Sequence, residues 1–173
     1  EQDLVRIANA IYDGSFTQLP AWQSLLTYCG RLHLVGLVSD GGVHSHIEHL
    51  LGILHLLRQT SVEPVIHMIT DGRDTAPRAA LGYLAEVEKS LASLGRGRIA
   101  TVSGRYCAMD RARHWDRTLR AWDAMVLGQG LTATEPREAI TAAYARGEGD
   151  EFIQPTIIAG HAGISPQEPV LFT

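Results

Sequence analysis

Apolar residues change their spacing along this chain in a regular way. Residues 3–12 place Leu4, Ile7, Ala8 and Ile11 one helical turn apart and stop at Asp13-Gly14. Residues 21–29 read as a second helix, closing near Gly30. The run Leu32–Val38 is almost unbroken, as expected of a strand covered on both faces. A polar turn with two glycines follows (Ser39–His46), and then Ile47, Leu50, Leu51, Leu54 and Leu57 form one stripe, with Ser45 and Glu48 at capping-box spacing.

The unit repeats in outline. Pro64–Ile69 predicts a strand, Thr70–Thr75 a turn, and Pro77 the first turn of a helix whose face carries Leu81, Leu84, Val87, Leu91 and Leu94 before Gly95 ends it. Arg98–Val102 predicts a third strand, 103–111 a longer turn, and Arg113–Leu127 a helix with Trp115, Leu119, Trp122 and Val126 on one side, the tryptophans expected in the core. Thr134 is placed as the cap of a helix carrying Ile140, Ala143 and Tyr144; Phe152-Ile153 and Thr156–Ile158 are placed as edge strands. Strands alternating with helices predict an α/β fold, a largely parallel sheet with helices on both faces. The expectation is a single domain over residues 1–158, with 159–173 as a polar tail.

Composition narrows the class. The 173 residues are 45% hydrophobic and 20% charged, ordinary for a globular protein, and no apolar run is long enough to span a bilayer. Glu1 in place of an initiator Met, and the lack of a basic-then-apolar leader in residues 1–30, suggest a fragment or processed chain. Two cysteines build no disulfide framework and fit a reducing compartment. A net charge of −4 argues against nucleic acid as a partner. Of the fifteen basic residues only Lys89 is a lysine. That bias is read either as genome composition or as a need for guanidinium forks, which grip phosphate and carboxylate at two points.

Position supports the second reading. All three unusual polar segments fall between the end of a strand and the start of a helix, where open α/β sheets bind ligands. The first holds His44, His46 and His49, spaced so that a metal site is one reading; His44, beside two glycines, is read as a ligand contact instead. The second, Asp71-Gly72-Arg73-Asp74, sets a cation beside a carboxylate, and the third supplies Arg105 and Arg111. Arg113 and Arg117 are read as solvated. Three arginines and a histidine converging on one pocket specify a small polyanion, with Asp74 a candidate general acid or base toward a substrate hydroxyl.

Four segments together carry a family resemblance: VSDGGVHSHIEHL (38–50), DGRDTAP (71–77), SGRYCAMDR (103–111) and YARGEGDEFIQPT (144–156). The chain resembles the cofactor-independent (2,3-bisphosphoglycerate-independent) phosphoglycerate mutases from about Asp3 to Ile158. The resemblance implies an isomerase that interconverts 3-phosphoglycerate and 2-phosphoglycerate in glycolysis, in the cytoplasm. It also implies two domains. One is phosphatase-like, with two Mn2+ and a serine that carries the phosphate; the other, inserted into it, grips the substrate. This chain matches only the inserted domain. The family's substrate contacts fall here on His44, Arg73, Asp74, Arg105 and Arg111.

The departures shape the expectation. The serine-bearing segment, the metal ligands and a later Phe-Arg-Pro-Asp-Arg-type segment are missing, and Ser39, Ser45 and Ser103 do not sit in the nucleophile's motif. Cys107 stands where the family usually has a second Tyr, and Ala112 and His114 depart from its pattern after Arg111. The chain alone is therefore expected to fold, to bind phosphoglycerate weakly, to hold no metal, to lack catalysis, and to carry its two ends close together facing the missing domain. The rival readings are a stand-alone anion-binding module and a metal-dependent hydrolase built on His44, His46 and His49.

Overall fold

The computed structural model describes residues 2–27 and 30–173. The helices are α1 (Asp3–Tyr12), α2 (Pro20–Thr27), α3 (Ile47–Leu56), α4 (Ala80–Leu94), α5 (Arg105–Ala108), α6 (Trp115–Trp122) and α7 (Pro136–Ala145). The strands are β1 (Arg31–Leu37), β2 (Glu63–Thr70), β3 (Arg98–Gly104), β4 (Leu131–Ala133), β5 (Thr156–Ile158) and β6 (Val170–Phe172). They form one sheet in the order β4-β5-β3-β2-β1-β6. β6, β1, β2 and β3 run parallel, and β5 runs antiparallel to β3. The expected α/β class therefore holds.

The strand period assigns the faces. Leu32 and Leu34 on β1, Ile66 and Met68 on β2, and Val102 on β3 share one buried cluster with Leu50 and Leu54 of α3, Leu84 and Val87 of α4, and Ile140 of α7. Each such side chain contributes roughly 1.5–3 kcal/mol by leaving water. On the opposite face Val35, Leu37 and Ile69 meet Ala108, Met109 and Met125. Both faces are covered, and every residue of β1 except Arg31 is buried.

The second face also carries a buried polar file that the apolar run concealed. His33 Nε2 donates to Glu168 Oε2 at 3.3 Å, and His67 Nε2 donates to His33 Nδ1 at 2.9 Å. Thr101 Oγ1 then donates to His67 Nδ1 at 2.9 Å. With Glu168 ionised and both imidazoles neutral, this arrangement of protons satisfies every nitrogen in the file. His161 packs with its ring centroid 5.2 Å from that of His67, and its Nε2 donates to the Met125 carbonyl.

Several local expectations change. No capping box forms at α3: His46 is the cap, its ring accepting the Glu48 N–H at 3.2 Å, because the Ser45 hydroxyl is drawn to the Leu37 carbonyl. Pro77 lies in the turn before α4, and Gly95 ends that helix in the left-handed region at φ 76°. Thr134 offers its N–H to the Glu138 carboxylate at 2.6 Å and does not cap α7 with its hydroxyl. Phe152 sits in a 3-10 turn rather than a strand, and β5 lies inside the sheet between β4 and β3.

Two larger differences follow from tertiary packing. Trp115 and Trp122 are 70% and 52% exposed, because Ala121 of α6 and Ala124 of the turn after it are the side chains that go inward. Residues 159–173 return to the body. Val170–Phe172 pair with His33–Val35 as β6, and the Thr173 N–H reaches the Val35 carbonyl. Thr173 lies against Gly36 of β1, and Gln2 lines a groove with Gly42 of the loop that follows that strand. The end of the predicted second helix, Tyr28 and Cys29, lies outside the described residues.

Candidate functional site

Because β1, β2 and β3 are adjacent and parallel, the three polar loops leave the sheet side by side. Asp71, at the end of the central strand, ties them together. Its Oδ2 accepts the Ser39 hydroxyl of the first loop at 2.7 Å. Its Oδ1 accepts the N–H groups of Arg73 and Asp74 at 3.1 and 3.0 Å, and the Arg105 guanidinium of the third loop at 2.7 Å. Burial raises the Asp71 carboxyl, but these donors outweigh it and hold the group below the usual carboxylate range. Arg105 is only 8% exposed, and its Nη1 also reaches Asp74 Oδ2 at 2.6 Å. The result is a buried triad of two carboxylates on one guanidinium.

The third loop is braced by a second carboxylate. Asp110 Oδ2 accepts the N–H groups of Ala112 and His114 at 3.1 and 2.8 Å, pinning a turn in which Arg113 takes φ 63°. Asp110 Oδ1 meets Arg117 Nη1 at 3.2 Å, and that guanidinium lies 3.9 Å from the centroid of the Tyr106 ring. Arg111, carried on this turn, has no ion pair among the described residues.

A strap closes the third side. Asp150 donates its N–H to the Pro77 carbonyl and accepts the N–H groups of Ala79 and Ala80 at 2.7 and 2.9 Å. Thr70 Oγ1 donates to the Asp150 carbonyl at 2.7 Å, and the Gly104 N–H reaches the Ile153 carbonyl at 2.7 Å. The strap lies so close to β3 that a Cβ on Gly104 would stand 2.3 Å from the Glu151 carbonyl oxygen. Gly104→Ala is therefore expected to destabilise the chain by about 1–3 kcal/mol, read as a lower melting temperature; an unchanged melt would show that the strap yields freely.

Together these parts enclose a cavity of about 760 Å³ whose lining includes His44, Arg73, Asp74, Arg105, Arg111 and Arg117. Asp110, Tyr106 and Glu151 complete its wall. His44 Nε2 stands 4.0 Å from Asp74 Oδ2, and Arg73 Nη1 stands 4.0 Å from Glu151 Oε1. An apolar groove of similar volume runs between α1 and α3, but the arginines do not reach it. Convergent guanidinium groups in an open cavity are suited to a small molecule with several anionic oxygens.

The family model described as "BPG-independent PGAM N-terminus (iPGM_N)" matches residues 7–173. The chain belongs to this family. It is 53% identical over 167 residues to the 2,3-bisphosphoglycerate-independent phosphoglycerate mutase of Symbiobacterium thermophilum, covering 94% of this chain and 32% of that protein. It is 45% identical over 170 residues to the enzyme of the same name from Sulfurimonas denitrificans, covering 98% and 34%. A crystal structure of Leishmania mexicana phosphoglycerate mutase at low cobalt concentration matches with a TM-score of 0.90 at 28% identity, over 96% of this chain and 34% of that one. The chain thus spans about a third of the length of these mutases.

In this member of the mutase family, the five residues singled out from the sequence line one cavity. Their settings differ: Arg105 is buried and committed, whereas Arg73 and Arg111 are open to a ligand. Arg117, expected to be solvated, is instead part of the wall. Asp71, Asp110, Tyr106 and Glu151 were not singled out. Asp71 carried a signal, as the first residue after a buried strand, where a carboxylate can collect turn N–H groups; the stacking of Arg117 on Tyr106 had none. The three histidines do not assemble: His46 caps α3, His49 is buried in that helix, and His44 faces Asp74. Among the described residues no group of three His, Cys, Asp or Glu side chains is arranged to hold a metal ion, so His44, His46 and His49 do not form the metal site that their spacing offered. No helix among them is long and apolar enough to cross a membrane.

Proposed function

We propose that this chain is the substrate-gripping third of a phosphoglycerate mutase, holding 3-phosphoglycerate or 2-phosphoglycerate while phosphate transfer takes place elsewhere in the full-length enzyme. The observation that carries this reading is the convergence of Arg73, Arg105 and Arg111 with His44 and Asp74 on one cavity. Arg73 and Arg111 supply the open guanidinium groups for phosphate and carboxylate oxygens. Arg105 is fixed between Asp71 and Asp74 and presents its outer edge. His44 hydrogen-bonds the ligand. Asp74 meets a glycerate hydroxyl with Oδ1, which makes no protein hydrogen bond among the described residues, and so can hold or return that hydroxyl's proton.

In this reading the serine that carries the phosphate and the two Mn2+ lie in the phosphatase-like part of the mutase, which is the partner of this chain, and the setting is cytoplasmic glycolysis. Half of the grip belongs to that part, so a ligand bound here alone keeps much of its hydration and binds weakly. Calorimetry with 3-phosphoglycerate tests this. Millimolar-range binding is expected, weakened by about tenfold or more in Arg111→Ala and in Arg73→Ala, the cost of one charge-assisted contact. No heat from the native chain, or mutase turnover by this chain alone, would sink the reading. Tight binding would favour the stand-alone anion module.

A further inference from the structure

The cavity contains a carboxylate that its anion-binding role does not call for. Asp71 and Asp74 hold Arg105, and Asp110 holds Arg117 together with two backbone N–H groups. Those three carboxylates build the walls. Among the described residues the Glu151 side chain makes no hydrogen bond: those that anchor the strap are made by Asp150 or by backbone atoms, and glutamine would serve the strap equally well. Yet the strap is forced into position. Cβ atoms on Gly72 and Gly104 would stand 2.7 Å from the Glu151 N and 2.3 Å from its carbonyl oxygen, so the chain gives up two side chains to bring Glu151 to this rim.

The partner it meets there is Arg73. The two groups stand 4.0 Å apart, close enough for attraction but too far for a hydrogen bond, with Arg73 half exposed. Four arginines line the cavity with three carboxylates, Asp74, Asp110 and Glu151, and the buried Asp71 stands behind Arg105, so four carboxylates balance four guanidinium groups.

We infer that Glu151 is an internal counter-anion that competes with the ligand for Arg73 and so sets how tightly the site holds anions. Any anion that pairs with Arg73, inorganic phosphate or phosphoglycerate, must displace the Glu151 carboxylate and then lie near it, so the carboxylate weakens the binding of both. This rests on the reading of the cavity as a phosphoglycerate site and adds to it a residue that limits the affinity.

The test is calorimetry of the native chain, Glu151→Gln, Arg73→Ala and the double variant with inorganic phosphate and with 3-phosphoglycerate. Glu151→Gln is expected to bind phosphate about fivefold tighter, the size set by one half-exposed ion pair. Phosphoglycerate should gain in the same direction. In the Arg73→Ala background the gain should vanish, since it acts through that side chain. Glu151→Ala should give the same sign. A Glu151→Gln chain that binds phosphate no tighter than the native one, or a gain that survives loss of Arg73, overturns the inference while native binding of phosphoglycerate leaves the site reading intact. If neither ligand binds to any variant, both fall. Loss of the fold in Glu151→Gln also overturns it, because the carboxylate would then be holding the strap.

Discussion

Asp71→Ala is expected to lower the stability of this chain by about 3–5 kcal/mol, the usual cost of leaving one partner of a buried ion pair behind. The substitution strips the Ser39 hydroxyl, two backbone N–H groups and the Arg105 guanidinium of a shared acceptor at one stroke. Arg105, almost wholly buried, is left with Asp74 alone. Because Asp71 joins all three loops, binding of phosphoglycerate should disappear with it. Asp71→Asn, which keeps an acceptor oxygen but removes the charge, should lie between the native chain and Asp71→Ala. Urea denaturation reads the stability, and a midpoint unchanged in Asp71→Ala would show that the loops are held independently.

Acid is expected to destabilise the fold, by about 2 kcal/mol at pH 5 and, near pH 3, by an amount comparable to that of Asp71→Ala. Burial on the second face of the sheet pushes the His67 imidazole down to about 3, with the neighbouring His33 and His161 and the charge of Arg98 acting in the same direction. Burial also lowers His33 and His161. An imidazole in the unfolded chain titrates near 6.5, so between that value and about 3 the unfolded state binds a proton that the folded state refuses. Stability is therefore full above about pH 6.5 and falls as the pH drops below it, by on the order of 4 kcal/mol when the loss is complete. Glu168 and Asp71 are held below the usual carboxylate range, both against the opposing effect of burial. The Ser165 N–H and His33 outweigh burial for Glu168, and their contribution is lost only below about pH 4. Urea midpoints at pH 7.5 and 5 measure the effect. A flat profile would overturn it, and His67→Gln, which has nothing to titrate, should flatten the slope.

The protonation chemistry on that face was illegible in the sequence. Within Leu32–Val38, His33 interrupts an apolar run and reads as a tolerated polar residue. Its partner His67 is two registers away across the β1–β2 ladder, opposite Val35, and Glu168 is brought in by the return of the chain end. Such contacts are set by strand pairing at long separation, which no local spacing encodes. The same holds for α6. Its apolar positions were correctly seen to share a face, but which face meets the sheet was decided by what fits. Ala121 and Ala124 go inward and the tryptophans remain in solvent.

The alternating strands and helices, the polar loops between them and the five cavity-lining candidates were legible in the sequence itself, because hydrophobic period and turn composition act over a few residues. Only the tertiary structure decided which charges are spent inside the protein and which remain for a ligand. Arg105 and Arg111 are equivalent as letters, yet one is locked on Asp71 and Asp74 and the other has no ion pair among the described residues. Electrostatic roles depend on distance and burial, and those come into being only when three loops and a strap from distant parts of the chain meet at one edge of the sheet.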